Sequence, residues 1–157
     1  MPALRKKRNI LEYISGYVDG EGCFSISFSK RDKFLVGWET KPSFSVSQNE
    51  DRAQILFLMQ KVFKCGFIRR DYSDKTLKYE VRSLNDLIYK IIPHFEKFPL
   101  LSDKRNDFKN FKSVCLSMER NLHTEKNGLQ KILNYAFKMN SSGKRKYTKA
   151  EMQKALR

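Results

Sequence analysis

Histidine and cysteine are scarce in this sequence, and their spacing excludes the sites that they usually build. Only two histidines occur, His94 and His123, and neither has a second His or a Cys pair at ligand spacing. The three cysteines, Cys23, Cys65 and Cys115, lie far apart and form no C-x-x-C. Any enzymatic chemistry therefore has to rest on carboxylates, lysines and a hard metal ion.

Long apolar segments are also missing. Hydrophobic residues make up 40% of the chain, but they are dispersed, and no run approaches the roughly 20 residues that span a bilayer. The basic residues 1–9 are not followed by the apolar segment and cleavage site of a secretory signal. We therefore expect a soluble, intracellular protein with no membrane partner.

Acidic residues are heavily outnumbered. The 32 Lys and Arg residues face 17 Asp and Glu residues, which gives a formal net charge of +15. Solubility of a small domain needs only about 2–8 charges of either sign. The excess predicts a polyanionic partner, most commonly nucleic acid. Charge alone does not distinguish DNA from RNA, or an enzyme from a binding protein.

Hydrophobic periodicity predicts the element order α-β-β-α-β-β-α within about residues 8–97. The helices are predicted at about 8–19, at 50–65 with Gly66 as the stop, and from 84 to the prolines Pro93 and Pro99. The strands are predicted at about 24–29, 43–47, 67–72 and 77–82. This pattern is typical of an α+β fold, with helices on one face of an antiparallel sheet.

Two more helices are predicted within about 102–140, one capped at Ser102 and one near Thr124. We interpret residues 1–140 as a single domain. Residues 141–157 predict a flexible basic arm that ends in a short helix. In this arm Lys144, Arg145 and Lys146 are candidates for contacts with phosphates, and a solubilising tail is the alternative.

The most specific feature is the segment 14–22, with the sequence ISGYVDGEG. Gly16 and Gly20 lie four residues apart on one side of the predicted helix, where positions without side chains let two backbones approach closely. Asp19 and Glu21 are predicted immediately past the helix, where the helix dipole is already negative. Carboxylates there indicate a nearby cation, and their oxygens suit Mg²⁺ or Ca²⁺. An ordinary glycine-rich turn is the alternative.

This segment resembles the LAGLIDADG motif of homing endonucleases and related maturases. Gly16, Asp19 and Gly22 match the first Gly, the first Asp and the last Gly of the motif, and Glu21 stands in the place of the second Asp. The element order over about 8–97 matches the family as well. The resemblance implies the LAGLIDADG homing endonuclease fold, with an antiparallel DNA-binding sheet and extra C-terminal helices.

The resemblance also implies how the motif works. Two motif helices pack against each other, with Gly16, Tyr17, Asp19 and Gly20 at the interface. Glu21 from each helix reaches a shared active site and binds metal together with the carbonyl of Gly20. One motif per chain implies a homodimer. The metal implied is Mg²⁺; Ca²⁺ is expected to bind without supporting cleavage, and Mn²⁺ to substitute.

Two further active-site residues are assigned by the resemblance. Gln48, at the end of the second strand, takes the polar position that orders water or metal. Lys104 takes the place of a basic residue that reaches the scissile phosphate, although an assignment shifted by one or two residues stays open. The alternatives are a strand-end polar residue and a solvated lysine at a helix start.

Strand alternation predicts a DNA-binding face without the resemblance. If the apolar residues of the strands point to the core, the polar residues between them form a surface suited to hydrogen bonding in the major groove. The members of this surface are Ser25, Ser27, Ser29, Lys41, Ser43, Ser45, Arg69, Arg70, Lys78, Glu80 and Arg82. Arg69 and Arg82 are candidates for reading guanine edges. A plain solvated sheet face is the alternative.

The combined prediction is a site-specific DNA endonuclease that makes metal-dependent double-strand cuts at a long pseudo-palindromic target. The family suggests an intron-encoded homing enzyme of a mitochondrion, a chloroplast or a prokaryotic cytoplasm. An RNA maturase or a non-cleaving DNA-binding protein is the alternative, and RNA stays open as a partner. Most of the 12 Phe and 7 Tyr residues fall on apolar stripes, but Trp38 and Tyr72 could stack on bases.

Overall fold

The structure is a computed structural model that describes residues 2–140 and 143–156. Its helices are α1 (Pro2–Glu21), α2 (Gln54–Phe63), α3 (Leu84–Asp86), α4 (Ile92–Lys97), α5 (Lys104–Glu119), α6 (Lys126–Ala136) and α7 (Lys149–Ala155). Its strands are β1 (Gly22–Lys30), β2 (Trp38–Asn49), β3 (Phe67–Asp71) and β4 (Thr76–Val81). Ser141, Ser142 and Arg157 of the predicted basic arm lie outside the described residues.

The four strands form one antiparallel sheet in the order β1-β2-β4-β3. In its register Val46 of β2 and Ile68 of β3 both lie opposite Tyr79 of β4. Directly opposed residues of antiparallel strands share a face, so these three residues belong to one face. The predicted element order and α+β class are confirmed.

The chain divides into two compact units. One comprises the residues up to Cys23 together with Ser43–Arg105, and the other comprises Phe24–Pro42 together with the residues from Asn106 onward. The boundary predicted at residue 140 stays a prediction.

The first unit has an aromatic core. The ring of Phe44 lies 5.6 Å from that of Phe95, and the rings of Phe63 and Tyr79 stack 6.5 Å apart. Burial raises the pKa of the Tyr79 hydroxyl far above its usual value, and this hydroxyl donates to the carbonyl of Cys65 at 2.8 Å. A hydrogen-bonded hydroxyl of this kind is the usual condition for burying tyrosine.

Helix boundaries differ from the prediction in α1 and in α2. α1 begins at Pro2 and runs through Glu21, because residues 5–9 are charged or polar and exposed and give no apolar stripe to detect. α2 ends at Phe63 rather than at Gly66, since Lys64 takes the left-handed conformation that stops the helix. α3 is capped by Ser83, whose hydroxyl accepts from the backbone N–H of Asp86 at 3.3 Å.

Pro93 does not end the third helix, contrary to the prediction. Leu87–Ile91 forms a π-helical segment, and α4 continues through Pro93 to Lys97. Proline removes one helical N–H and its ring clashes with the carbonyl four residues earlier. The wider π turn supplies a physical means of accommodating the ring, so the helix continues.

A buried polar contact fastens α1 to the end of α4. The Ser15 hydroxyl donates to the carbonyl of Phe98 at 2.7 Å, so its oxygen is left to accept from Nε2 of His94 at 3.0 Å. Burial lowers the pKa of His94 to about 4, so this ring is neutral at pH 7. The motif helix is therefore held in a fixed place by a neutral histidine.

In the second unit, β1 packs against the helices that follow the first unit. The ring of Phe24 lies 5.4 Å from Phe108 and 5.3 Å from Phe111. The side-chain amide of Asn140 donates to the carbonyl of Phe24 at 2.8 Å. The end of α6 is thus tied to β1 by both apolar and polar contacts.

Arg145 anchors the segment that was predicted to be a flexible arm. Its guanidinium donates to the carbonyl of Ile26 at 2.7 Å and to that of Ala136 at 2.6 Å, and it lies over the ring of Phe137. The short helix predicted after it is confirmed as α7, and Met152 of α7 is buried. Around Arg145 this part of the chain is packed onto its unit.

The first prediction concerns pH and His94. Because the folded-state pKa of about 4 lies below the unfolded value of 6.5, the unfolded chain binds the proton first as the pH falls. The free energy of unfolding should therefore be highest above pH 6.5 and fall by up to about 3 kcal/mol as the pH drops to 4. Urea unfolding from pH 7 to 4 measures this. His94→Gln should flatten the curve more than His123→Gln does, and equal curves for the two variants would contradict the assignment.

The second prediction concerns Arg145. Arg145→Met leaves two carbonyls of the second unit without their charged donor, so the free energy of unfolding should fall by about 2–3 kcal/mol. Lys144→Met, at the exposed neighbouring position, should change it by less than about 0.5 kcal/mol. Urea titrations of both variants provide the comparison, and equal stabilities would show that Arg145 is no anchor.

Candidate functional site

The motif segment forms the last two turns of α1. Contrary to the prediction, Asp19 and Glu21 lie inside the helix rather than past it. Val18 is fully buried, whereas Gly20 and Glu21 are exposed. Two carboxylates therefore occupy the negative end of a helix dipole, which is unfavourable unless cations or donors face them.

Gly22 allows the chain to turn directly from α1 into β1. A Cβ built on Gly22 would lie 2.5 Å from Cγ1 of Val18 and 2.9 Å from its carbonyl oxygen. Atoms do not approach so closely, so only glycine fits between the helix and the strand. This close approach explains the last glycine of the motif.

Gly16 and Gly20 have the opposite surroundings. A Cβ built on either one would meet no heavy atom within 4 Å, counting only the residues that the structure describes and leaving aside the helix's own nearby backbone. Both residues are exposed. Nothing within the described protomer therefore requires glycine at these positions.

Asp19 binds the chain segment that precedes α5. Its carboxylate accepts from the backbone N–H of Leu101 at 3.0 Å, from the N–H of Ser102 and, at 2.5 Å, from the Ser102 hydroxyl. Burial opposes ionisation, but these hydrogen bonds outweigh it and hold the pKa of Asp19 below its usual value. Asp19 is thus an ionised support for this segment. The sequence predicts a helix cap at Ser102 but gives no signal for its bond to Asp19, because the two residues lie 83 positions apart.

Lys104 reaches the end of the motif helix. Its Nζ donates to the carbonyl of Gly22 at 2.5 Å, one residue beyond Glu21. The predicted active-site lysine and the predicted metal-binding acid therefore approach the same turn of the chain.

Gln48 also reaches this helix, through Tyr17. The side-chain N–H of Gln48 donates to the Tyr17 hydroxyl, and its amide oxygen accepts from the backbone N–H of Asn49 at 2.9 Å. Tyr17 lies one turn before Glu21. Tyr17 had been assigned to the dimer interface, and no sequence signal indicated that its hydroxyl would hold Gln48, because the two residues lie 31 positions apart.

The sheet residues of the first unit divide between the two faces. The register sets Ser45 opposite Glu80 and Arg69 opposite Lys78, so these four share the face turned away from the buried Tyr79. Arg70 lies opposite Leu77, on the face of the sheet that carries Tyr79, and its guanidinium pairs with Glu50. The register therefore does not bring Arg70 together with Arg69.

Glu80 is the centre of a polar cluster on this face. Only 5% of the residue is exposed, yet its carboxylate accepts from the Ser43 hydroxyl at 2.8 Å and from two arginines. Arg82 binds it through Nε and Nη2, each at 3.0 Å, and Arg69 through Nε at 3.5 Å. Burial opposes ionisation of Glu80, but the bonds from Arg82 and Ser43 prevail and its pKa is lowered.

The predicted DNA-binding residues of the second unit differ in exposure. Ser27 and Lys41 are exposed, and the Ser27 hydroxyl is 3.5 Å from the carbonyl of Lys41. Ser25 and Ser29 are half-buried. Lys144 and Lys146 are exposed, whereas the guanidinium of Arg145 turns inward. Trp38 is buried against Tyr147, while Tyr72 of the first unit is exposed, so of the two only Tyr72 is available for stacking.

Residues 2–140 and 143–156 contain neither a cluster of metal-binding side chains nor a membrane-spanning helix. No group of three or more His, Cys, Asp or Glu side chains there could hold a metal ion. None of the helices there is long and apolar enough to cross a membrane.

The chain is similar to intron-encoded endonucleases. It is 33% identical over 129 residues to a probable intron-encoded endonuclease 2 of Neurospora crassa. The matched region covers 82% of this chain and 28% of that protein. The next two curated relatives are covered over 25% and 24% of their length. The chain thus spans about a quarter of the length of these relatives.

Solved structures match it more completely. The crystal structure of the homing endonuclease I-TnaI superposes with a TM-score of 0.80 at 32% identity, over 92% of this chain and 94% of that one. The I-LtrWI LAGLIDADG homing endonuclease bound to target DNA gives 0.81 at 36% identity, over 83% of this chain and 44% of that one. The family model of the LAGLIDADG endonucleases matches residues 14–115. On this match, and on the motif helix at its start, the chain belongs to the LAGLIDADG endonuclease family.

Proposed function

We propose that the protein is a site-specific DNA endonuclease that acts as a homodimer and makes metal-dependent double-strand cuts. One observation carries the proposal. Glu21, at the end of the motif helix, is exposed, whereas Asp19 is bonded to the segment before α5, and Lys104 reaches the same turn as Glu21. Gln48 is held one turn away through Tyr17. The Glu21 carboxylate, the Lys104 ammonium group and the Gln48 amide thus all lie near the end of α1.

The donor set fits a hard divalent cation only when two protomers combine. Each protomer offers the Glu21 carboxylate and the carbonyl of Gly20, which are oxygen ligands of the kind that Mg²⁺ prefers. When bound, Mg²⁺ supplies activation of water and stabilisation of the charge on the phosphate. Two Glu21 carboxylates brought together would repel each other without cations between them. Ca²⁺ is proposed to bind without cleavage, and Mn²⁺ to substitute.

Glycines with open surroundings support the homodimer. Gly16 and Gly20 lie on one side of α1 where a Cβ would meet nothing from the described residues. A second copy of α1 against this side would use the missing side chains for close backbone approach. Two-fold symmetry then implies a pseudo-palindromic target.

Charge and neighbours support DNA as the substrate. The net charge of +15 favours a polyanion. The I-LtrWI neighbour was crystallised on its target DNA. Exposed Lys41, Lys144 and Lys146 are proposed to contact phosphates, and Arg69 and Arg82 to contact bases.

The third prediction tests the enzyme. Protein incubated with a randomised duplex library should make discrete Mg²⁺-dependent cuts that EDTA abolishes. Glu21→Gln removes the charged metal ligand and should lower the cleavage rate at least about 100-fold, because metal binding supplies several kcal/mol of transition-state stabilisation. Binding of the cut sequence, measured in Ca²⁺ by gel shift, should persist.

Glu125→Gln is the control for charge, since Glu125 is exposed before α6 and makes no capping bond. It should cut like the wild type. Selective binding without cutting by the wild type would replace the enzyme with the binding-protein or maturase alternative. Cutting by Glu21→Gln at the wild-type rate would remove Glu21 from the site.

The fourth prediction tests the homodimer. Gly16→Leu meets open space in the protomer but would overpack a helix contact between protomers, so the dimer dissociation constant should rise about 10- to 100-fold. Sedimentation velocity over a concentration series measures this. Gln130→Leu, an exposed substitution on α6, serves as the control and should leave the dimer intact. A Gly16→Leu dimer as tight as the wild type would contradict the proposed interface.

A further inference from the structure

The sheet face of the first unit carries a carboxylate where a DNA-binding surface would ordinarily be expected to carry only donors and cations. Glu80 lies opposite Ser45 in the register, and Arg69 and Lys78 are its neighbours on the same face. A negative charge in this place weakens contact with phosphates. Its presence therefore calls for a specific role, given the proposed function.

The Glu80 carboxylate is only 6% exposed, and donors of the fold take up most of its acceptor capacity. A carboxylate offers about four acceptor directions, two on each oxygen. Oε1 accepts from Ser43, and Oε2 accepts from Nη2 of Arg82 and from Nε of Arg69. Nε of Arg82 lies 3.0 Å from Oε1 as an ion pair. A cytosine amino group approaching Glu80 would have to displace one of these donors, so direct base contact by Glu80 is disfavoured.

Arg69 and Arg82 are bound to Glu80 but remain partly exposed. Their side chains remain 45% exposed at Arg69 and 61% exposed at Arg82, although both are bonded to a nearly buried carboxylate. Toward Glu80, Arg69 uses Nε, and Arg82 uses the edge formed by Nε and Nη2. Each therefore keeps its terminal Nη1–Nη2 edge for a bidentate partner. Arg82 also makes a cation–π contact, since its guanidinium lies 5.4 Å from the ring centre of Phe67.

We propose that Glu80 is a positioning residue for specificity: it directs the terminal edges of Arg69 and Arg82 toward guanines of the target instead of touching a base itself. A free arginine side chain loses rotamer entropy on binding unless its guanidinium is already held in place. Anchoring both guanidiniums on one carboxylate removes most of that loss before DNA arrives. The same anchoring keeps both guanidiniums away from neighbouring phosphates, whose contacts carry no sequence information.

This inference rests on the proposed DNA-binding function, and its test measures base preference rather than cleavage. Wild-type protein in CaCl₂ is used to select from a randomised duplex library, and the enriched sequences are read. The wild type should enrich guanine at two positions of each half-site. Glu80→Gln should lower the preference at both by about 10-fold or more, while affinity for an unselected duplex stays equal or rises.

Matched variants separate geometry from charge. Glu80→Asp keeps the charge but withdraws the carboxylate by one methylene, and it should lose the same guanine preferences without any gain in affinity for the unselected duplex. Asp86→Asn makes the same charge change as Glu80→Gln at a carboxylate paired with Lys90, and it should keep the wild-type preferences. In an Arg69→Met background, Glu80→Gln should have no further effect at the position that Arg69 reads.

The outcomes distinguish the two levels of proposal. If the wild type enriches no sequence, the proposed function falls and this inference falls with it. If the wild type is selective but Glu80→Gln and Glu80→Asp keep its preferences, this inference alone is wrong. A uniform loss of binding in both variants, with preferences unchanged, would likewise overturn it by giving Glu80 a merely structural role.

Discussion

The hydrogen bonds to the Asp19 carboxylate fix the relation between the motif helix and the segment that begins α5. Three donors converge on it from Leu101 and Ser102, two residues before Lys104. Because that segment is held in place, the Lys104 ammonium can reach the carbonyl of Gly22 at the end of the helix. The arrangement around Glu21 thus depends on a neighbouring acid that is proposed to touch neither metal nor DNA.

Helix electrostatics explain why the two acids take different roles. Both lie at the negative end of α1, where ionised carboxylates are disfavoured unless something compensates them. The negative charge of Asp19 is stabilised by N–H and O–H donors of Leu101 and Ser102, which keep its pKa low. Glu21 is exposed, and Lys104 is engaged with a carbonyl rather than with its carboxylate. A divalent cation is the compensation that the proposed function supplies.

Sequence periodicity predicted the order of the elements and the faces of the strands, because each depends on local spacing of apolar side chains. It could not predict contacts between residues that only the tertiary fold brings together. The bond from Gln48 to Tyr17 and that from Ser15 to His94 join residues 31 and 79 positions apart. The continuation of the helix through Pro93 depends on a π-helical segment that no local propensity encodes. For Arg145, charge suggested phosphate contact, whereas two carbonyls of the unit take its guanidinium.

Charge and availability for binding differ among the acids and arginines of this protein. Asp19, Glu80 and Arg145 are hydrogen-bonded to groups of the fold, and they act by holding other groups. Glu21, Arg69 and Arg82 keep exposed polar edges. A count of charges therefore indicates a nucleic-acid partner but not the groups that contact it. The hydrogen-bond partners of each charge decide that, since a donor or acceptor already satisfied inside the protein gains little by exchanging its partner for one on DNA.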